Sequence, residues 1–333
     1  MNQLTIDYVD KIEQLLKNGD NVDNGTKELL NQTFEVNPKQ PVILSPERKV
    51  SPYYLAGELL WYLMGSNSTK QIAYYSKFWN KISDDGVTNR SAYGYRMFNK
   101  FEDNLGTGVD FNQFYKVIET LEADPNSRQA IISLYLPHNK QTKDEICTLN
   151  LQFFIRNDAL HMIVNMRSND IILGTANDIF MFSIIQQILA VKLGVEVGKY
   201  YHNAASLHLY ERHFKMAKSI VIQAMNDDLK WKSTMYQYDD ADTEINITEV
   251  FVSELNDICD LEKYIRTSDE QIKVLAEKVL NRMSKLQDKF SQSLVATLLL
   301  YRCKQEDNNV YDMVYSNINH ILHPLFHILI INN

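Results

Sequence analysis

The chain has only three cysteines, Cys147, Cys259 and Cys303, and no two of them stand in a Cys-x-x-Cys spacing. Thiols so few and so scattered exclude a disulfide framework and a cysteine-held metal site, and they fit a reducing compartment, the cytoplasm. A signal-peptide pattern is also lacking: Met1 to Gly19 is polar and reads as an amphipathic helix. No apolar run of membrane-spanning length stands out, and the apolar ending His323 to Ile331 is too short for one, so it is expected to dock on the body of a soluble protein. Nor is there an excess of positive charge. With 34 lysines and arginines against 42 aspartates and glutamates the net charge is −8, which argues against nucleic-acid binding as the main activity but leaves room for a local basic pocket that holds one phosphate.

What is present is enough for a large core. At 333 residues, 45% of them hydrophobic and 11% aromatic, the chain fits one large domain with an appendage. Six of the seven prolines lie between Pro38 and Pro137 and mark loops between short elements. The chain therefore divides at about His213, into a mixed helix and strand part, residues 1–213, and a mostly helical extension, residues 214–333. Asn177 to Leu193 has helical apolar spacing and ends at Gly194, a suitable helix terminator, and a second long helix is expected from near Ser206. Tyr236 to Asp242 reads as an acidic linker. Thr248 to Asn317 reads as several charged amphipathic helices, a packing or partner-binding appendage.

Cys147 is the residue most worth following. Thr148 to Arg156 and Leu160 to Arg167 have strand character, and Asn157-Asp158 between them supplies turn chemistry. A hairpin so built brings Cys147 beside Arg167, and a guanidinium near a thiol favours the nucleophilic thiolate. The alternative is a buried cysteine packed at the start of a strand.

The residues around this pair carry a further signal. Gly57-Glu58-Leu59-Leu60-Trp61-Tyr62-Leu63, Ala92-Tyr93-Gly94, Asp124-Pro125-Asn126-Ser127-Arg128-Gln129, Cys147 with its strand, Arg167-Ser168-Asn169-Asp170, Leu173-Gly174 and His208-Leu209-Tyr210 follow one another in a set order. In order and spacing, from about Asn24 to His213, the chain resembles the thymidylate synthase and pyrimidine-nucleotide hydroxymethylase superfamily. The resemblance implies an α+β fold, a large mixed β-sheet with packed helices, to which this chain adds its helical C-terminal appendage. It also implies a homodimer that uses 5,10-methylene-tetrahydrofolate as co-substrate and no metal.

The chemistry implied is thiolate addition to C6 of the pyrimidine, which turns C5 into a carbon nucleophile towards the methylene group. Loss of the C5 proton and of tetrahydrofolate leaves an exocyclic methylene, which becomes methyl if hydride is delivered or hydroxymethyl if water adds. Cys147 matches the nucleophile. Glu58 matches the glutamate that organises protons and water, with an exposed helix position as the alternative. Tyr93 matches the tyrosine near the departing C5 proton, or is a packed turn residue.

Arg167 and Ser168 match phosphate ligands, and Arg128 matches an arginine that reaches across the dimer into the other subunit's site. The family pattern has a second arginine where Gln129 stands, and an arginine in the loop near Asn24. Lys27 is the cation available there, and resembles the lysine of phage deoxycytidylate hydroxymethylases; by itself it would read as a surface lysine. His208 and Tyr210 match the pair that holds the sugar hydroxyl. Trp79 and Asp170 match the folate-side wall and the pterin contact. Met166 departs from the usual glutamine, and neither the stretch after His213 nor the ending at Asn333 reproduces the family's closing tail, which bears on hydride transfer and on folate.

The base reader is the sharpest point. Counted from Gly174, the family asparagine falls on Asp178; a one-residue slip would leave Asn177 in its place. An amide pairs with uracil, whereas a carboxylate accepts from the cytosine 4-amino group and from a protonated N3. Asp178 is also a residue type common at helix starts, where it would only cap. The sequence thus points to hydroxymethylation of dCMP, with a dUMP methylase or hydroxymethylase as the alternative. A non-catalytic nucleotide-binding scaffold is the third reading, one that the joint presence of Cys147, Glu58 and Arg167 disfavours.

Overall fold

The computed structural model describes residues 3–22, 25–45, 47–102, 110–136, 141–225 and 243–332; Asn24 and the acidic segment Tyr236 to Asp242 lie outside them. Helix α1 (Gln3–Asn18) buries Leu4, Tyr8, Ile12 and Leu15, one face of a 3.6-residue repeat, and leads through β1 (Asp20–Val22) into β2 (Thr26–Val36). Helix α2 (Pro52–Leu63) starts where Ser51 accepts from the Tyr54 amide and Pro52 occupies the first turn. It is buried on nearly every side. Around it stand α3 (Thr69–Tyr75), α4 (Phe78–Ile82) and α5 (Tyr93–Phe98), followed by the β3 (Lys100–Glu102) and β4 (Asp110–Asn112) pair, α6 (Gln113–Ala123) and β5 (Ile131–Ser133).

The expected hairpin is β6 (Thr148–Arg156) and β7 (Ala159–Met166). Asn157 and Asp158 between them have φ of 51° and 58°, the left-handed pair that a tight two-residue turn requires. Thr148 pairs with Met166, so Cys147 and Arg167 are adjacent across the strands, and the Arg167 amide donates to the Cys147 carbonyl at 2.9 Å. After β8 (Asn169–Asp170), helix α7 (Thr175–Leu193) crosses over to β9 (Glu196–Tyr210), which runs parallel to β7 and β8 and antiparallel to β2. The sheet is mixed, in the order β1-β2-β9-β7-β6-β5 with β8 on β9.

Two expectations are corrected here. No helix begins near Ser206: β9 passes through it, and α8 (Phe214–Met225) starts later. Tyr200, His202 and Ala204 are buried in alternation, but the next buried residue is Leu207, three positions on, a spacing that imitates a helix. The change of phase falls at Ala205 and Ser206, after β9 has left β7 at Ala204 and before it meets β8 at Leu207, near Asn31 of β2 with its φ of 52°. The second correction concerns α7, which ends at Gly194 (φ 65°) as expected but is long and apolar enough by composition to cross a membrane. It reads that way because it is a core helix, packed between the sheet and α2.

The remaining helices are α9 (Glu249–Ser253), α10 (Leu255–Thr267), α11 (Ile272–Met283), α12 (Lys289–Glu306), α13 (Asn308–Ile318) and α14 (Pro324–Ile331). Helix α12 is their centre, with Leu294, Val295, Leu298 and Leu299 fully buried, and it packs with α10 on α2. The apolar ending docks as expected, as α14, with Phe326 against Phe290. Glu262 of α10 has no exposed side-chain surface; it accepts from Arg266 Nε at 2.6 Å and from the Tyr75 hydroxyl of α3 at 2.9 Å. In Glu262→Ala the nearly buried Arg266 loses its partner, which costs about 3–5 kcal/mol. The thermal midpoint should fall by about 4–7 °C. A calorimetric fall of only about 2 °C would show that the pair does not join α10 to α3.

Candidate active site

The loop before β6 and the end of β7 bring thiol and guanidinium together. Arg167 donates through Nε to the Ile146 carbonyl at 2.8 Å and through a terminal nitrogen to the Glu145 carbonyl at 3.1 Å, with that nitrogen 3.6 Å from Cys147 Sγ. The guanidinium is anchored by carbonyls on one side and exposed on the other, where an anion can reach it. Burial pushes the Cys147 thiol above its ordinary pKa, and Arg167 only partly opposes this. The thiolate favoured on sequence grounds is thus not the resting form: desolvation outweighs one partly exposed cation, and the proton leaves as the thiol attacks. The Tyr93 hydroxyl accepts from the Thr148 amide at 3.2 Å. Burial, with Cys147 next, pushes its pKa up, so it stays a neutral donor.

Glu58 of α2 faces the same space. Its Oε1 accepts from the Tyr54 hydroxyl at 2.9 Å, and that hydroxyl accepts from Trp79 Nε1 at 3.1 Å. Glu58 Oε2 is buried without a hydrogen-bond partner among the described residues. Desolvation, with Asp178 second, pushes the Glu58 carboxyl up to about 8, so it is protonated near neutrality, and Tyr54 leaves Oε2 to carry the proton. Tyr54 went unnoticed in the sequence, although its position one helical turn before Glu58 was a usable signal. Its donated bond favours the charged carboxylate; losing it in Tyr54→Phe should move the alkaline limb of the kcat profile up by about one pH unit, the equivalent of about 1.5 kcal/mol. A downward shift in the measured profile would contradict this role.

Asp178 sits in the first turn of α7 but is not its cap, which is Gly174. Its Oδ2 accepts from Asn169 Nδ2 at 2.8 Å, and desolvation pushes its pKa up to about 7. A Cβ at Gly174 would stand 3.0 Å from Asn169 Nδ2 and 3.2 Å from Asp178 Oδ2, so a side chain there would press on both partners of this bond. Asn177 turns away, donating to the Leu173 carbonyl at 3.1 Å, and takes no part in the cluster.

Ser168 Oγ lies 3.3 Å from His208 Nδ1, and burial holds the His208 pKa below its ordinary value. The His208 ring meets Tyr210 edge-on at 5.0 Å, and Arg212 caps Tyr210 at 4.0 Å. Of the residues expected on the folate side, Asp170 Oδ1 accepts from the Ile172 and Leu173 amides, a loop that Arg48 clamps through the Ile172 carbonyl at 2.7 Å. Asp170 Oδ2 is buried with no hydrogen-bond partner among the described residues, an acceptor suited to the N–H donors of a pterin, while Trp79 packs on Trp61 at 5.1 Å. These residues fit a folate. Lys27 lies outside the cluster, donating to the Leu16 carbonyl at 2.7 Å, and Arg128 is exposed in the loop three residues before β5. Among the described residues no group of three His, Cys, Asp or Glu side chains is placed to hold a metal ion.

With Cys147, Glu58, Tyr93, Arg167 and Asp178 drawn together, the family model described as thymidylate synthase matches residues 6–271. The chain belongs to the thymidylate synthase family. It is similar to the deoxyuridylate hydroxymethyltransferase of Bacillus phage SP01, 35% identical over 214 residues, which cover 61% of this chain and 56% of that protein. It is also similar to the deoxyuridylate hydroxymethyltransferase of Pseudomonas phage M6, 32% identical over 185 residues, 54% of this chain and 50% of the other. The chain spans about half the length of these curated relatives. Its fold is similar to that of a thermostable thymidylate synthase A from Bacillus subtilis, with a TM-score of 0.56 at 23% identity, over 66% of this chain and 84% of that one. The mixed sheet with packed helices is therefore the family fold, and the family match continues past residue 213 into α8, α9 and α10.

Proposed function

We propose that this chain transfers a one-carbon unit to C5 of a cytidylate, giving 5-hydroxymethyl-dCMP, by way of a covalent bond from Cys147 to C6 of the base. The observation that carries the reading is Asp178, a half-buried carboxylate close enough to Cys147, Tyr93 and Glu58 to act on their charge. When ionised it can only accept, which suits the cytosine 4-amino group and a protonated N3 and repels uracil O4.

Each residue then has a task. Arg167 and Ser168 hold the phosphate, joined by Arg128 from a second copy of the chain in a homodimer, and His208 and Tyr210 hold the sugar. Cys147 Sγ gives its proton to solvent or to a neighbouring base as it bonds to C6. Tyr93, whose oxygen already accepts from the Thr148 amide, keeps its proton to donate beside C5. Methylene-tetrahydrofolate supplies the carbon when bound, with Asp170 and Trp79 as its holding residues. Glu58 Oε2, buried and without a hydrogen-bond partner among the described residues, is placed to order a water and move its proton, as addition of water to the exocyclic methylene requires.

A second reading, hydroxymethylation of dUMP, is favoured by the names of the two phage relatives. It also has a physical basis. Asp178 pushed up to about 7 is partly neutral at physiological pH, and a carboxylic acid presents one donor and one acceptor, as the amide does. The deciding experiment is tritium release from [5-³H]dCMP and [5-³H]dUMP with methylene-tetrahydrofolate, each product identified by mass. Release from dCMP with a hydroxymethyl product supports the first reading, and release from dUMP alone supports the second. None from either would return the chain to a non-catalytic nucleotide-binding role.

A further inference from the structure

Behind Asp178 lies a line of buried polar side chains that the chemistry above does not use. The Tyr200 hydroxyl is 2.6 Å from His202 Nδ1; His202 Nε2 is 3.0 Å from Asn169 Oδ1; Asn169 Nδ2 is 2.8 Å from Asp178 Oδ2. Tyr200 and His202 are fully buried and Asn169 is 3% exposed, so water supplies none of these bonds. Thr175 Oγ1 also donates to Asn169 Oδ1, at 2.6 Å. The line has a direction. An ionised Asp178 can only accept, so Asn169 turns its NH₂ to Oδ2 and its oxygen to His202 Nε2, which must then carry the single ring proton and leave Nδ1 to accept from the Tyr200 phenol.

We infer that Tyr200, His202 and Asn169 form a one-way hydrogen-bond relay that decides which oxygen of Asp178 meets the base, and that His202 is a positioning residue for base selection. The inference rests on the reading of Asp178 as base reader and extends it inward to β9. Because Oδ2 is always the acceptor from Asn169, Oδ1 is the oxygen left for the pyrimidine. Ionised Asp178 presents Oδ1 as an acceptor for the cytosine amino group. Neutral Asp178 carries its proton on Oδ1 and donates it to uracil O4. The same side chain reads either base according to pH, with preference for cytosine rising as pH rises. His202, held by burial down to about 3, stays neutral throughout and keeps the direction of the relay. The other groups that face Asp178 are Tyr54, Glu58 and Tyr62 of α2, Tyr93 of α5, Cys147 before β6 and Tyr200 of β9. Between pH 6 and pH 8 these tyrosines and Cys147 stay neutral, while Glu58, pushed up to about 8, starts to release its proton only towards the upper end, so the change centred near pH 7 belongs to Asp178.

The test measures the dissociation constants of dCMP and dUMP by calorimetry between pH 6 and pH 8, for the wild type, Tyr200→Phe and His202→Phe, all in the full chain. In the wild type the ratio should turn towards dCMP by about a hundredfold over this range, about tenfold per pH unit, as expected when the two complexes differ by one proton. In both variants the donor that His202 directs at Asn169 Oδ1 is weakened or lost and only Thr175 Oγ1 still holds that oxygen, so Asn169 turns it to Asp178 more readily, a contact the carboxyl accommodates only when protonated. The ratio should then move about tenfold towards dUMP at pH 8, and the pH dependence should flatten. Ratios within twofold of the wild type in folded variants would overturn the relay. Should the buried substitutions prevent folding, imidazole ¹⁵N shifts of the wild type decide the matter alone: a proton on Nε2 of His202 is required, and one on Nδ1 overturns the inference. Failure of the wild type to bind either nucleotide would overturn the functional reading together with the base-selection role, whereas the tautomer reports on the relay by itself.

Discussion

Cys147→Ala should lose turnover by at least about 10⁴-fold while binding the nucleotide within about threefold of the wild type. The magnitude follows from removing the only atom that can bond to C6, which takes away a step and not a degree of stabilisation. Binding survives because Arg167 keeps its anchors, the Ile146 and Glu145 carbonyls, without the thiol, and Ser168 and His208 do not touch it. Tritium release in single turnover and calorimetric titration of the variant measure the two halves separately. Residual release above about 1% of the wild type would rule out Cys147 as the nucleophile. A large loss of binding instead would mean that the thiol serves mainly to hold Arg167.

Asp178→Asn should swing the ratio of kcat/KM for dCMP to that for dUMP by about 10³-fold in favour of dUMP. Asn169 presents its NH₂ to Oδ2, so the new amide must place its own oxygen there and turn its NH₂ to the base. That group donates to uracil O4 and meets the cytosine amino group donor against donor, a buried mismatch of the kind that discriminates most strongly. The wild-type pH dependence of the ratio should vanish as well, because an amide has no proton to release near 7. A swing of less than tenfold would mean that another group reads the base.

Much of this was legible beforehand because it depends on local chemistry. The Asn157-Asp158 turn, the strands on either side and the placing of Cys147 opposite Arg167 follow from residue type and a period of two, and the hairpin has that register. The end of α7 at Gly194 is legible for the same reason. Where the local pattern misled, a tertiary partner had overridden it. The burial of β9 changes phase at Ala205 and Ser206, between its pairing with β7, which ends at Ala204, and with β8, which begins at Leu207, and the helix-like spacing there follows from that tertiary arrangement. The apolar length of α7 reflects burial between the sheet and α2, not a lipid environment.

By itself the sequence determined the residue types that this chemistry needs, a thiol, two carboxyls, a phenol and a fork-shaped cation in a recognisable order, because motif spacing is a property of the chain. Only the tertiary structure decided how those groups are charged and which way they face. Cys147 is pushed up despite Arg167, Glu58 is pushed up to about 8 with Tyr54 on one oxygen, and Asp178 rather than Asn177 faces the cluster with Asn169, His202 and Tyr200 behind it. The physical reason is that desolvation and hydrogen-bond direction arise from groups far apart in the chain, brought into contact only when β8 pairs with β9 and α7 and α2 close over them.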